Sequence, residues 1–243
     1  MTTESISMLK TLAARQALEA VRDGMILGLG TGSTSAHFID LLGKKLQEGA
    51  LRDIRGVPTS VAAEARAKRW GIPILSLMET NPGGEPHLDL AVDGADEVDP
   101  DLNLIKGLGR ALLREKIVES FAERFCVIVD ESKLVARLGS RQPVPVEIVQ
   151  YAAQEHVRWL NSLGCKAELW REEGGAPVIT DNSNFLVRCW FEGGIPDVHS
   201  LAHRLAERPG IVEHGLFLGM ADQVIVASEQ GVRIIEKKLD TDR

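Results

Sequence analysis

Apolar residues along this chain recur in two alternating patterns. In "SISMLKTLAARQALEAV" they fall at Leu9, Leu12, Ala13, Leu18 and Val21, the spacing of one helical face. "GMILGLG" follows as a short unbroken apolar run ending in glycines, the signature of a buried strand. The pattern repeats: "SAHFIDLLGKKL" is helical, "IRGVPTS" strand-like and "VAAEARAKRWG" helical, with "IPILSL" and "LDLAVDGAD" as further short apolar runs. "ALLREKIVESFAERF" then reads as a helix and "CVIVDESK" as a strand. This alternation predicts an α/β fold, a Rossmann-like parallel sheet flanked by helices.

Near residue 141 the texture changes. "RQPVPVEIV" holds two prolines, and "CKAELWRE", "PVIT" and "NFLVRCWF" read as strands with more polar alternation, while "DVHSLAHRLAERPG" reads as a helix. A smaller α+β domain with an antiparallel sheet is expected at 142–215. Residues 1–141 and 216–243 then form the large domain, closed by the strand pair "QVIVASEQGVRIIEK". "ETNPGGEPH" is a turn-rich loop.

Composition narrows the function classes. Of the 243 residues 44% are hydrophobic and only 5% aromatic, which suits an aliphatic α/β core. A net charge of -7 and a pI near 5.5 argue against a nucleic-acid partner but not against a small anion in a local pocket. Cys126, Cys165 and Cys189 contain no CxxC pair and read as free thiols in a reducing compartment. The start "MTTESISMLK" is too polar for a secretory signal and no apolar run reaches membrane-spanning length. A cytoplasmic location with no membrane partner is expected.

Two segments carry candidate chemistry. "GLGTGST", residues 28–34, follows the first strand and opens a helix, a setting that turns backbone N–H groups and the helix dipole toward an anion. Ser33 stands where a P-loop needs lysine and where a dinucleotide fingerprint needs glycine, so both motifs fail. What remains is a hydroxyl-rich turn suited to a terminal phosphate, or a tight turn with a Ser or Thr cap. The second segment, "VDGADEVDPDLNLIKG", crowds Asp93, Asp96, Glu97, Asp99 and Asp101 ahead of Lys106. Its spacing fits neither the Asp-x-Asp of metal-dependent phosphatases nor an EF-hand. Glu97, Asp99 and Asp101 read as a solvated loop, whereas Asp93, at the carboxyl end of a strand, reads as half buried in the region where parallel sheets gather ligands.

On a helix over 110–122 the apolar stripe comprises Ala111, Leu113, Ile117, Val118, Phe121 and Ala122, with Leu112 and Glu119 off it. Glu115 falls at its edge. A carboxylate there is partly desolvated, so its pKa is expected to rise toward that of a general base. The plainer alternative is an edge glutamate paired with Arg114 or Lys116.

"GLGTGSTSAHFI", "VDGADEVDPDLNLIKG", "ALLREKIVE" and "DESK", in this order and spacing, resemble ribose-5-phosphate isomerase, type A. The resemblance extends through "PVPVEIV", "VITDNSNF" and "PGIVEHGLF". It implies interconversion of ribose 5-phosphate and ribulose 5-phosphate through a cis-enediolate, with no metal and no organic cofactor. Glu115 would be the proton-transfer base, with Asp93, Asp96 and Lys106 around the reacting end of the sugar. Lys106 and its loop amides would meet the developing oxyanion, Asp93 would open the sugar ring, and Asp96 would orient Lys106 or the hydroxyls. Thr31, Gly32, Ser33 and Thr34 would form the substrate loop, joined by Gly94, Ala95, Gly107, Leu108, Gly109 and Lys133, and Lys10 would reach the phosphate. One departure stands out: many members carry Lys-Gly-Gly-Gly where this chain has Lys106-Gly107-Leu108-Gly109, so a positive φ at Leu108 would be costly.

A homodimer or homotetramer is the expected assembly. Two other function classes are a sugar-phosphate sensor, which would carry a DNA-binding module, and a metal-dependent phosphohydrolase, which EDTA would silence. The pentose phosphate pathway and carbon fixation both use the isomerase reaction.

Overall fold

The unbroken apolar runs become the central strands, because a strand covered on both faces leaves no position for a polar side chain. The computed structural model describes residues 3–237; residues 1–2 and 238–243, assigned above to the large domain, lie outside them. In chain order the elements begin with α1 (Thr3–Leu18), β1 (Ile26–Leu29), α2 (Ser33–Gln47), β2 (Arg55–Pro58), α3 (Val61–Arg69), α4 (Leu77–Thr80) and β3 (Leu90–Asp93). There follow β4 (Glu97–Val98), β5 (Leu104–Ile105), α5 (Leu112–Ser120), β6 (Phe125–Asp130), a 3-10 turn (Glu131–Lys133) and β7 (Val144–Ile148). The remainder are α6 (Ala153–Asn161), β8 (Lys166–Leu169), β9 (Phe185–Trp190), α7 (Val198–Ala206), β10 (Ile211–His214), β11 (Leu216–Phe217), β12 (Gln223–Ser228) and β13 (Gly231–Glu236).

The chain divides into two compact units. Among the described residues the first comprises 3–94, 117–133 and 219–237. Its six-stranded sheet has the order β13-β12-β6-β3-β1-β2. All neighbours are parallel except β13, which returns antiparallel from β12 across the two residues Glu229 and Gln230. Helix α1 packs on β6 and β12, and α2 on β3. The core between them is aliphatic: Leu9, Ala13, Leu27, Leu29, Phe38, Leu42, Val92, Ile128 and Ile225 are all buried. The expected parallel sheet flanked by helices is therefore present.

The second unit comprises 95–116 and 134–218. Its four-stranded antiparallel sheet runs β10-β7-β9-β8, and α6 and α7 pack on it. Val144, Val146, Ile148, Leu160, Val187, Leu201 and Leu205 form its core. A separate antiparallel ribbon, β11-β5-β4, draws residues 97–105 into this unit. The second unit thus extends beyond the expected 142–215 at 95–116, 134–141 and 216–218. The cause is local pairing: Phe217 and Leu216 pair with β5, and Val135 donates its N–H to Val98. Two smaller differences concern this unit. "PVIT" forms no strand but single bridges, Arg171 to Pro177 and Ile179 to Phe185. Helix α6 escaped the sequence pattern because its buried face includes a polar residue, His156, beside Leu160.

Candidate functional site

The candidate residues fall in both units. Lys10, Thr31, Gly32, Ser33, Thr34, Asp93, Gly94 and Lys133 belong to the first, and Ala95, Asp96, Lys106, Gly107, Leu108, Gly109 and Glu115 to the second.

In the first unit β1 delivers the chain into α2 through Gly30, Thr31 and Gly32. Gly30 must be glycine, since a Cβ there would lie 2.2 Å from the Asp93 carboxyl group. Asp93 ends the neighbouring strand β3 and is buried. Its Oδ1 accepts from Ser35 Oγ at 2.6 Å and from the Gly94 amide at 2.7 Å. The Thr31 hydroxyl lies 2.7 Å from the hydroxyls of both Thr59 and Ser60, and Ser60 caps α3. Ser33 opens α2, and Lys10 reaches across from α1 to donate to its Oγ at 2.8 Å. The first turn of α2 thus combines N–H groups, the positive end of the helix dipole, two hydroxyls and an ammonium group, a set suited to a dianion. Lys133 ends the 3-10 turn and is half-buried. Ser35, Thr59 and Ser60 were missed by the sequence reading. "VPTS" at the end of β2 repeats the strand-to-helix setting of "GLGTGST" and was the available signal.

In the second unit the crowded carboxylates separate onto different donors. Asp96 Oδ2 accepts from the Leu108 amide at 2.9 Å. Glu97, expected in a solvated loop, is buried and accepts from three backbone amides: Gly139 at 2.6 Å, and Arg141 and Gln142 at 2.7 Å each. Its place on β4, against the backbone of 139–142, overrides its polarity, because three otherwise unmet N–H groups need an acceptor. Asp99 is likewise engaged, accepting from Asp101 N, Asn103 N and Asn103 Nδ2 across its own turn. Asp101 is exposed, as expected.

Leu108 keeps an ordinary backbone conformation; the positive φ angles fall on Gly107 (+107°) and Arg110 (+68°). A non-glycine residue there costs on the order of 1 kcal/mol or more. Arg110 is held by a forked pairing to Glu172 at 2.6 and 3.1 Å and by the Trp170 ring.

Lys106 and Glu115 meet in this unit. The Lys106 ammonium lies 3.5 Å from Glu115 Oε2, with side chains only 2% and 3% exposed. The Phe217 ring lies 5.4 Å from Lys106 Nζ. Glu115 is therefore fully inside, paired with Lys106. The flanking Arg114 and Lys116 both reach residues of the same unit. Lys116 donates to Glu213 at 2.6 Å and to the His214 carbonyl at 2.7 Å. Arg114 donates from Nε to Asn182 Oδ1 at 2.8 Å and from Nη2 to the Asp181 carbonyl at 2.9 Å. Burial pushes the His214 imidazole down to a pKa of about 4, helped by the Lys116 ammonium and opposed by Glu213.

The predicted stripe on α5 has the wrong phase. Leu112 and Glu119, placed off it, are buried with Glu115 and Val118, whereas Ile117 and Phe121 are 41% and 36% exposed. The Leu113-Ile117-Phe121 row set the phase because it is apolar. The inward row contains two glutamates, which an apolar template cannot register.

Among the described residues, the His, Asp and Glu donor atoms that converge as a potential metal-holding group are those of His87, Asp89 and Glu123, at the amino end of β3. None of these was a candidate from the sequence. No helix among the described residues is long and apolar enough to cross a membrane.

The sequence pattern of the family described as ribose 5-phosphate isomerase A (phosphoriboisomerase A) matches residues 55–231. The ribose-5-phosphate isomerase A of Roseiflexus sp. strain RS-1 is 47% identical over 220 residues, covering 90% of this chain and 92% of that protein. The Pyrococcus horikoshii protein of the same name is 45% identical over 234 residues, covering 96% and 100%. A solved D-ribose-5-phosphate isomerase in complex with phospho-erythronic acid is 46% identical. It superposes with a TM-score of 0.90 over 97% of this chain and 100% of its own.

Proposed function

The chain belongs to the ribose 5-phosphate isomerase A family, and from that premise we propose that it interconverts D-ribose 5-phosphate and D-ribulose 5-phosphate with Glu115 as the proton-transfer base. The observation that supports this most is the buried Lys106–Glu115 pair, 3.5 Å apart. Glu115 takes the C2 proton of the open-chain aldose, and the electron pair moves to O1 to give a cis-enediolate. The same carboxyl group returns the proton to C1 as the O2 proton passes to O1, leaving a carbonyl at C2 and a hydroxyl at C1, so one base on one face serves both halves. Lys106 offsets the developing negative charge, a task at which a fixed buried cation is effective because the surroundings do not screen it.

Asp93 is the group we assign to ring opening, its carboxylate held by Ser35 and Gly94. Asp96 holds the loop after Lys106 through the Leu108 amide. Ser33, Thr34, the Gly32 turn, Thr31 and Lys10 take the phosphate; Gly94, Ala95, Gly107, Leu108, Gly109 and Lys133 complete the substrate contacts. The solved relative bound to phospho-erythronic acid supports the enediolate. A phosphorylated aldonic acid presents a planar carboxylate where an enediolate presents its two oxygens. In this proposal Lys106 supplies the positive charge a Lewis acid would otherwise supply, so no metal or organic cofactor takes part. The enzyme works as a cytoplasmic homodimer or homotetramer, in the pentose phosphate pathway or carbon fixation.

The purified protein should convert ribose 5-phosphate to a ketopentose phosphate at a rate that EDTA leaves unchanged. Absence of ketopentose would refute the activity, and loss in EDTA with recovery in Mg²⁺ would refute the metal-free mechanism.

A further inference from the structure

The sequence motif "VITDNSNF" has no role in the chemistry proposed above, yet it surrounds a charge with no access to water. Glu147, in the middle of β7, is completely buried. Its Oε1 accepts three bonds from that motif: Thr180 Oγ1 at 2.9 Å, Asn182 Nδ2 at 3.1 Å and Asn184 Nδ2 at 2.9 Å. A buried carboxylate is costly to hold, and here its hydrogen bonds go to a loop rather than to a counter-charge. The bond to Asn182 has a directional consequence. Because Glu147 can only accept, it binds the amide nitrogen of Asn182 and leaves Oδ1 facing the other way. That oxygen accepts Arg114 Nε at 2.8 Å, and the adjacent Asp181 carbonyl accepts Arg114 Nη2 at 2.9 Å. Arg114 immediately precedes Glu115 in the first turn of α5.

We infer that Glu147, Asn182 and Arg114 form a positioning relay that fixes the first turn of α5 and with it the angle at which Glu115 meets the substrate. The relay rests on the proposal that Glu115 is the base. None of the three residues is assigned a substrate contact. Lys116, on the other side of Glu115, is anchored by Glu213 and the His214 carbonyl. The base is thus pinned from both neighbours, and the relay is the longer of the two restraints. Misplacing a reacting group by an ångström can cost up to about 100-fold in rate.

The experiment compares the wild type with Asn182→Ala, Arg114→Ala, the double variant and Glu115→Gln. Each is assayed for kcat and KM with ribose 5-phosphate and for thermal midpoint. Asn182→Ala leaves Thr180 and Asn184 on Glu147, so the fold should survive with a midpoint near that of the wild type. The expected result is a fall in kcat of about ten-fold or more in each single variant, with KM for ribose 5-phosphate little changed. The double variant should lose no more than the worse single one, because both changes cut the same restraint. Unchanged kcat in Asn182→Ala beside an inactive Glu115→Gln would overturn the relay while leaving the base in place. Multiplicative losses in the double variant, or a rise in KM equal to the fall in kcat, would also overturn it. A Glu115→Gln enzyme of normal kcat would remove the base itself, and the relay with it.

Discussion

The Thr31–Thr34 loop and the 104–116 segment solve different electrostatic problems with different materials. The loop has hydroxyls, amides, a helix dipole and a lysine whose ammonium reaches Ser33. Its one ammonium, from Lys10, is only half-buried, and the set of donors suits a group that arrives already charged and hydrated. The 104–116 segment buries a lysine and a glutamate together, shielded from solvent. Such a pair is expensive to fold and strong once folded, which suits a step in which charge appears only in the transition state. Under the proposed reading, binding is assembled from half-exposed donors near water, whereas proton transfer uses charge in a dry place.

This difference is open to experiment, beginning with the largest effect. Lys106→Met should damage both stability and rate. Glu115 would be left buried without its cation, at a cost of about 3–5 kcal/mol. Loss of one oxyanion-stabilising group is worth about 10²–10³-fold in kcat. Chemical denaturation and steady-state kinetics on the same preparation would measure both. A stable, active Lys106→Met enzyme would mean that the two segments do not differ as described.

A smaller effect is expected in the loop. Ser33→Ala with Thr34→Ala removes two hydroxyls and no charge, so stability should hardly change while KM for ribose 5-phosphate rises. Because remote binding energy also serves the reacting centre, kcat should fall modestly. An unchanged kcat/KM in the folded double variant would take the phosphate away from this loop.

The smallest effect is a pH dependence beside the buried pair. His214 has a folded pKa of about 4, below the 6.5 of an exposed imidazole. Below pH 6.5 the unfolded chain takes up a proton that the folded chain refuses. Stability from this source is therefore complete above pH 6.5 and declines as pH falls toward 4. The thermal midpoint should drop over that window, and His214→Gln should flatten the drop. An equal slope in wild type and variant would show that His214 does not titrate as described.

How much of this was legible in the sequence follows the same division. The strands of the first unit could be read because "GMILGLG" and "CVIVD" are apolar without interruption and the helices between them keep one face. The strand-to-helix setting of the Thr31–Thr34 turn was legible because it lies in a local sequence of strand, turn and helix. Asp93 was legible for the same reason, as the residue closing an apolar strand. The depth of the other buried charges was not. Glu97 reads as a surface acid because its acceptor role depends on amides 42 to 45 positions away. The inward face of α5 was misassigned because Glu115 and Glu119 occupy positions that a hydrophobic template reserves for leucine. Arg114 reaches Asn182 across 68 positions, a contact no periodicity encodes.

The most direct test of the central claim follows the substrate's C2 hydrogen by proton NMR while ribose 5-phosphate is incubated in D2O. If Glu115 carries the proton between C2 and C1, wild-type enzyme should wash deuterium into the sugar during turnover. Glu115→Gln, which keeps size but cannot accept the proton, should slow both exchange and isomerisation by about 10²–10⁴-fold. Exchange at C2 continuing at the wild-type rate in Glu115→Gln would contradict the account and place the base on another carboxylate, with Asp93 and Asp96 next in line.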